Sequence, residues 1–218
     1  MSPDEQMPVG PEDRLALFTD LYELSMLQAY FEEGLQDSAV FTLFVRRVPE
    51  QRNYLLACGL DTVLEQLERL RFTREDIDYL AGLGRFSTRF LQWLETFRFT
   101  GAVRGVREGT PVFANEPILE VRAPLPEAQL VETLIMNQIH LQTVQASKAA
   151  RLVTAARGRD VVDFGARRMH GLDEHAIAQL RAAGAPIDAF RVGTSRRGAL
   201  RRAVPAARDA RRPASGRA

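Results

Sequence analysis

Residues 101–126, "GAVRGVREGTPVFANEPILEVRAPLP", combine short runs of β-formers with Gly and Pro turns and lead directly into a helical stretch. The alternation predicts a small antiparallel sheet, because Gly and Pro favour the turns that join adjacent strands. The helix is predicted to begin at Pro126 and Glu127 and to run towards Arg157 and Gly158. Proline is favoured at the first helical position, and glycine is favoured at the position that follows the helix. A helix of about thirty residues would be about 45 Å long. Together, this sheet and helix predict a mixed α/β fold.

The stretch before residue 101 predicts four helices and one strand. A helix is expected at residues 19–34, where Thr19 or Asp20 can cap the start, Glu23 lies three residues after Asp20, and Gly34 can end it. An apolar strand at residues 39–49 ends in two arginines and a proline. Three short helices are then expected to begin near Asp61, Thr73 and Ser87.

The first helix has one mainly apolar face and an aromatic residue on the other side. Tyr22 and Met26 point nearly opposite to the apolar face, so two interpretations are open for Tyr22. It is covered by a second layer of the same core, or it contacts something outside the core. At about 100° per residue, the apolar face consists of Leu21, Leu24, Leu27, Gln28 and Phe31.

Composition predicts a soluble, cytoplasmic protein that is not associated with a membrane. The chain has 218 residues, of which 45% are hydrophobic and 26% are charged, with a formal net charge of +1. Cys58 is the only cysteine, which fits a reducing compartment and is expected to be a small buried residue. The acidic start shows no signal-peptide pattern, and no apolar run approaches the roughly 18 residues of a membrane span.

The end of the chain, residues 196–218, is rich in Arg and Ala and contains no aromatic residue. Such a composition buries too little apolar surface to offset the entropy of ordering, so a disordered tail is predicted. A nucleic-acid-binding tail is the alternative, since clustered arginines neutralise phosphates. Nucleic acid is not the expected partner.

Residues 160–195 predict one βαβ unit. Strands are expected at residues 160–165 and 186–195, with a helix at residues 172–184 between them. Arg167, Arg168 and His170 follow the first strand, where α/β folds place ligands. The two arginines can clamp a carboxylate or phosphate, or they can form a solvated basic loop. The "VGTS" turn at residues 192–195 is a weak phosphate-binding pattern that is also common in other turns.

The remaining chemistry-bearing residues show no metal or nucleotide fingerprint. No HxxxH, CxxC or carboxylate cluster indicates a metal site, and neither a Walker loop nor GxGxxG is present. His140 lies in the middle of the long predicted helix and is expected to be a packed or surface residue. His175 lies in the first turn of a later helix, where a positive charge is disfavoured.

Four segments together resemble the N-terminal part of bacterial nicotinate phosphoribosyltransferases. They are "LFTDLYELSMLQAYFEEG", "FVRRVPEQRNYLLACGLD", "GTPVFANEPILEVRAPLPEAQLVETLIMNQIHLQTVQASKAARLV" and "VVDFGARRMHG", and the match runs from about Leu15 to Gly171. The resemblance implies transfer of a phosphoribosyl group from phosphoribosyl pyrophosphate (PRPP) to nicotinate, giving nicotinate mononucleotide and pyrophosphate for NAD biosynthesis or salvage. It also implies ligase and glycosyltransferase chemistry driven by ATP with Mg²⁺ through a phosphohistidine. The implied fold is an N-terminal α/β domain on an irregular α/β barrel, in a homodimer with shared sites.

The resemblance assigns nicotinate binding to three residues of this chain. Tyr22 matches a tyrosine that reaches the pyridine ring from the neighbouring subunit. Phe164 matches the ring-stacking aromatic of the related nicotinamide enzyme, and Arg167 belongs to a basic pair beside the base.

Three further residues are assigned to the phosphoribosyl group. Arg168 completes the basic pair, while Gly193 and Thr194 fit the turn that holds a phosphate of the donor. The family turn usually reads Gly-Val-Gly-Thr, whereas Arg191 stands at its first position here. An arginine hinders the close backbone approach that glycine allows.

The resemblance departs from the family after Gly171. No Gly-Thr-x-Ala-His motif follows, so no catalytic residue is assigned, and residues 171–190 resemble a much later family segment. We hypothesise an internal deletion near Gly171 followed by a frameshift after Ser195. The predicted organisation is a disordered start (1–14), an N-terminal α/β domain (15–125), a long helix with an incomplete barrel fragment (126–195) and a disordered tail (196–218). The alternative to an active enzyme is a poorly soluble, non-catalytic remnant that keeps only the dimer-forming domain.

Overall fold

The computed structural model describes residues 15–159 and Val161, and within them it shows a mixed helix and sheet architecture, as predicted. Helices pack against two small antiparallel sheets, and no helix in this part of the chain is long and apolar enough to cross a membrane. In chain order, the elements are α1 (Leu21–Glu32), β1 (Ser38–Phe44), β2 (Leu55–Leu56), α2 (Leu60–Arg69), α3 (Arg74–Gly82), α4 (Thr88–Glu95), β3 (Ala102–Gly105), β4 (Pro111–Val112), β5 (Pro117–Pro124), α5 (Leu125–Leu130) and α6 (Glu132–Ala156).

The described strands form two antiparallel sheets. The larger has the order β1-β5-β3, with Phe41 opposite Val121 and Val103 opposite Val121 on the other side. The smaller pairs β2 with β4. The Gly- and Pro-rich stretch therefore forms antiparallel strands as predicted, but its central strand is β5, which also pairs with the distant β1. This pairing joins two strands that are separated by about seventy residues of intervening chain.

All four predicted early helices are present, and two of them, α3 and α4, begin with the predicted side-chain caps, whereas α2 begins at Leu60 after Gly59, which has no side chain to cap it. Thr73 and Asp76 form a reciprocal capping box at α3, and the hydroxyl of Ser87 accepts a hydrogen bond from the backbone of Phe90 at α4. The predicted side-chain cap of α1 is wrong, because Asp20 occupies the N-cap position without a side-chain hydrogen bond. Glu23 is turned towards the core instead, where only 1% of its surface is exposed.

The long helix differs from its prediction at both ends. The stretch that begins at Pro126 forms the short α5, and α6 begins only at Glu132 after Val131. At the other end, Arg157 is the C-cap in the left-handed region with φ of 51°, and Gly158 follows with φ of 83°. The observed helix of 25 residues is therefore shorter than the thirty predicted.

The core lies between the helices and the larger sheet and contains an aromatic cluster. Phe90 is fully buried and stacks on Trp93 with ring centroids 5.7 Å apart, while Phe31 and Phe97 contact Trp93 at 5.6 and 5.7 Å. These contacts hold α1 against α4. The start of α1, where Tyr22 lies, is thereby fixed relative to the rest of the domain.

Helix α6 also takes the place of a neighbouring strand along one edge of β2. The Ser147 hydroxyl accepts a hydrogen bond from the backbone N–H of Leu56 at 2.8 Å, and the Thr143 hydroxyl accepts one from Cys58 at 3.1 Å. Both side chains are buried. Cys58 is only 3% exposed, which confirms that it is a small buried residue.

Candidate functional site

Tyr22 lies in the first turn of α1 with its ring in solvent. The side chain is 58% exposed, so the interpretation that a second core layer covers it is wrong. Its phenol donates a hydrogen bond to Oε1 of Glu23 over 3.2 Å. Tyr22 is therefore an exposed aromatic ring held at its hydroxyl by a buried acceptor.

The carboxylate of Glu23 is the centre of a small hydroxyl network. It accepts hydrogen bonds from the hydroxyl of Thr19 at 3.1 Å and from that of Thr133 at 3.2 Å, in addition to the Tyr22 phenol. Thr19 precedes α1 and Thr133 lies in the first turn of α6, so the network joins two elements that are far apart in sequence. These bonds compensate the burial of the carboxylate.

The surroundings of Tyr22 are negatively charged. The pKa of the Tyr22 phenol is raised above its ordinary value, first by the charge of Glu23 and by the hydrogen bond to it. Slight burial and the charges of Asp20 and Glu132 act in the same direction. The phenol is therefore a neutral donor to Glu23 at physiological pH.

Two grooves run along α6, one on each side of Met136. The first measures about 300 Å³ and has an apolar floor with Arg47, Arg52 and the exposed His140 among its lining residues. The second measures about 260 Å³ and includes Glu132. Of the two positions expected for His140, packed or on the surface, the structure shows the surface. Both grooves share Leu43 and Met136, so they form neighbouring depressions over the sheet.

Of the residues assigned to nicotinate and the phosphoribosyl group, only Tyr22 lies within the described part of the chain. The other five, Phe164, Arg167, Arg168, Gly193 and Thr194, lie outside it, as does His175. Residues 15–159 contain no group of three or more His, Cys, Asp and Glu side chains that could hold a metal ion.

Sequence reasoning missed Glu23 and Thr133 as parts of the site. A signal for Glu23 was present, because it lies four residues before the buried Leu27 and so shares a helix face with it. Thr133 gave no comparable signal, since its hydrogen bond to Glu23 depends on where the start of α6 lies relative to α1. The pairing of residues 110 positions apart in sequence is visible only in the folded structure.

Residues 17–140 match the family model described as the nicotinate phosphoribosyltransferase N-terminal domain. The match covers more than half of the chain and includes α1, the larger sheet and the first part of α6. The chain belongs to this family.

Similar proteins carry the nicotinate phosphoribosyltransferase name in several organisms. The chain is 59% identical over 158 residues to nicotinate phosphoribosyltransferase pncB2 of Mycobacterium tuberculosis, covering 72% of this chain and 34% of that protein. It is 37% identical over 163 residues to the Bacillus subtilis nicotinate phosphoribosyltransferase, covering 74% and 33%. The chain therefore spans about a third of the length of these relatives.

Solved structures agree with the assignment to the nicotinate phosphoribosyltransferase family. The crystal structure of human nicotinic acid phosphoribosyltransferase superposes with a TM-score of 0.70 and 31% identity, covering 78% of this chain and 35% of the human chain. Nicotinate-nucleotide pyrophosphorylase from Pyrococcus furiosus superposes with a TM-score of 0.59 at 18% identity, which shows a shared fold only. The α/β fold implied by the resemblance is thus confirmed.

Proposed function

We propose that this domain forms part of the nicotinate site of a nicotinate phosphoribosyltransferase that acts in NAD biosynthesis. The reaction joins nicotinate to PRPP and releases pyrophosphate, with ATP hydrolysed to ADP and phosphate. The observation that supports this proposal most directly is the exposed ring of Tyr22, whose hydroxyl is held by Glu23. The chain that carries this ring belongs to the nicotinate phosphoribosyltransferase family. An aromatic ring held in place can stack on the pyridine ring of nicotinate.

The contribution of this domain to catalysis is positioning. A preorganised ring lowers the entropic cost of holding the base against the phosphoribosyl donor. Phe164 and Arg167 are proposed to contact the base, and Arg168, Gly193 and Thr194 to contact the phosphoribosyl group. ATP and Mg²⁺ are proposed for the complete enzyme, and residues 15–159 are not assigned to binding the metal ion.

The proposal includes a homodimer in which Tyr22 reaches the site of the neighbouring subunit. It can be tested by co-expressing the 218-residue chain with a full-length relative whose matching tyrosine is replaced by alanine. Two different affinity tags would isolate the hybrid dimers, and nicotinate mononucleotide formation would be measured. Hybrids that contain the unaltered chain are expected to regain activity, because Tyr22 restores the missing ring.

Two variants of the chain serve as controls for this experiment. Tyr22→Ala should abolish the recovery, whereas Tyr79→Ala should leave it intact, because Tyr79 is a similarly exposed tyrosine (60%) on α3. Failure of the two proteins to co-purify, or hybrids that stay inactive, would contradict the proposal. The second result would favour the alternative of a dimer-forming domain without a catalytic role.

A further inference from the structure

Glu23 is a buried carboxylate in the first turn of α1 that accepts hydrogen bonds from three hydroxyl groups in the described part of the chain. It is 1% exposed and forms no ion pair with any described arginine, lysine or histidine. Burying a carboxylate without a cation costs free energy, and an apolar residue would pack at such a position without that cost. The hydroxyl bonds and the positive end of α1 offset part of that cost, and one of these bonds ties the carboxylate to the exposed ring of Tyr22.

The hydrogen bond to Glu23 fixes the orientation of an otherwise free ring. An exposed tyrosine samples several rotamers, and restricting it when a ligand binds costs entropy. Because the Tyr22 phenol donates to Glu23, the ring is held before any ligand arrives. Preorganisation of this kind increases affinity without adding a contact.

The same hydrogen bond determines which part of Tyr22 can meet a carboxylate ligand. The phenol has one proton, and that proton is donated to Glu23, so the oxygen can only accept a further hydrogen bond. A pyridine carboxylate is itself only an acceptor, and Asp20 and Glu132 add negative charge nearby. The ring face of Tyr22 is therefore the contact surface, and the ligand carboxylate points away from the phenol.

We propose that Glu23 is a positioning residue that orients the Tyr22 ring for face-on contact with a pyridine carboxylate whose acid group is directed away from the phenol. This inference rests on the proposed function for its ligand. The anchoring of Tyr22 by Glu23 is a property of this chain alone and can be tested without any activity.

The anchoring is tested by the alkaline titration of ¹³C-tyrosine in the full 218-residue chain. The chain has four tyrosines, and loss of one NMR signal in Tyr22→Phe identifies that of Tyr22. Glu23→Met should lower the pKa of Tyr22 towards the ordinary value of 10.0, because the adjacent charge and acceptor are removed. Glu23→Gln should also lower it, and this variant decides the question if Glu23→Met does not fold.

A matched control is Glu32→Gln, which removes an exposed carboxylate near the other end of α1. It should leave the Tyr22 titration unchanged. A Tyr22 titration that is the same in the unaltered chain and in the Glu23 variants would overturn the anchoring, whatever the enzyme activity.

The consequence for the ligand is tested in the hybrid dimers described above, with nicotinate as the varied substrate. Glu23→Met in this chain should raise KM for nicotinate about three- to tenfold with kcat within about twofold, because ring stacking acts in the ground and transition states alike. Glu23→Gln keeps an acceptor oxygen and should stay close to the unaltered hybrid. Tyr22→Phe combined with Glu23→Met should be no worse than either change alone.

Ser147→Ala separates positioning from general loss of stability. It removes a buried hydrogen bond to Leu56 about four helical turns along α6 from Thr133 and leaves the Tyr22 hydrogen bond, so KM for nicotinate should not change. An unchanged KM in Glu23→Met hybrids that remain active would overturn the positioning role and leave the proposed function intact. Inactive hybrids with the unaltered chain would instead contradict the proposed function, while the tyrosine titration would still decide the anchoring.

Discussion

Gly59 combines a positive φ with the close approach of a helix backbone. Its φ of 111° is unfavourable for any residue with a side chain, and a Cβ there would lie 3.0 Å from the carbonyl oxygen of Gln138. Helix α6 passes this close because Gly59, the N-cap of α2, has no side chain. Approach of a loop to a helix backbone is thus possible only with glycine at this position.

Gly59→Ala is expected to destabilise the domain by about 1–3 kcal/mol, because it combines backbone strain with a clash against α6. Urea unfolding followed by the fluorescence of Trp93, the only tryptophan, would measure the change in the free energy of unfolding. Gly82→Ala is the control. Gly82 lies in α3, and no atom lies within 4 Å of the place that an alanine methyl group would take, so that change should be neutral or slightly stabilising.

Cys58 is expected to be unreactive in the folded protein. Burial, followed by hydrogen bonding to Glu108, raises the pKa of its thiol well above the usual range, so little thiolate exists at pH 8. Reaction with a thiol reagent such as dithionitrobenzoate at pH 8 should be slow in buffer and fast in urea. Because Cys58 is the only cysteine, the signal is unambiguous, and fast modification of the native protein would contradict the prediction.

The raised pKa of the Cys58 thiol makes the stability of the folded protein depend on pH. The folded state holds the thiol proton more tightly than the unfolded state, so its contribution is fully present below the unfolded pKa of about 9. It is lost as pH rises towards the folded pKa. Stability attributable to Cys58 should therefore fall with rising pH above about 9.

At the scale of elements, the contact between α6 and β2 depends on two hydroxyl groups. Ser147→Ala would leave the buried N–H of Leu56 without its partner, and a lost hydrogen bond of this kind costs about 1–3 kcal/mol. Thr154→Ala is the matched control, since the Thr154 hydroxyl only donates to the carbonyl of Ala150 within α6 and is exposed. Thermal unfolding should show a clearly lower Tm for Ser147→Ala only; equal Tm values would contradict the role of this bond.

Elements whose limits depend on local chemistry were predictable from the sequence. Thr73 and Ser87 fix the starts of α3 and α4 through capping bonds made within three residues. The start of α6 was not predictable, because α5 and α6 are separated at Val131 inside a stretch that reads as continuous helix. The outward position of Leu21, 42% exposed, was missed because tertiary packing places Glu23 rather than Leu21 on the buried side.

The candidate site was predictable only in part for the same reason. Tyr22 is found from its position opposite the apolar face and from the family resemblance. The anchoring of Tyr22 by Glu23 cannot be found from the sequence. The Glu23 network includes Thr133 from α6, and no local sequence pattern relates these residues. The family itself follows from motifs spread over the first 171 residues, and the match of residues 17–140 confirms it.

At the scale of the whole molecule, the 218-residue chain alone is expected to make no nicotinate mononucleotide in an ATP-stimulated reaction. The sequence contains no Gly-Thr-x-Ala-His motif, and His140 is an exposed residue in the middle of α6. The assay would supply nicotinate, PRPP, ATP and Mg²⁺ and detect the mononucleotide by chromatography. Turnover by the purified chain that increases with ATP would contradict this prediction.

Because α6 is hydrogen-bonded to the β2 region, hydrogen exchange at two backbone amides reports whether α6 is docked. The N–H groups of Leu56 and Cys58 are protected by side chains of α6, not by a neighbouring strand. Their exchange with deuterated solvent therefore requires α6 to separate from β2, even if the pairing of β2 with β4 persists. The exchange rates at these two positions measure how often the helix detaches, independently of global unfolding.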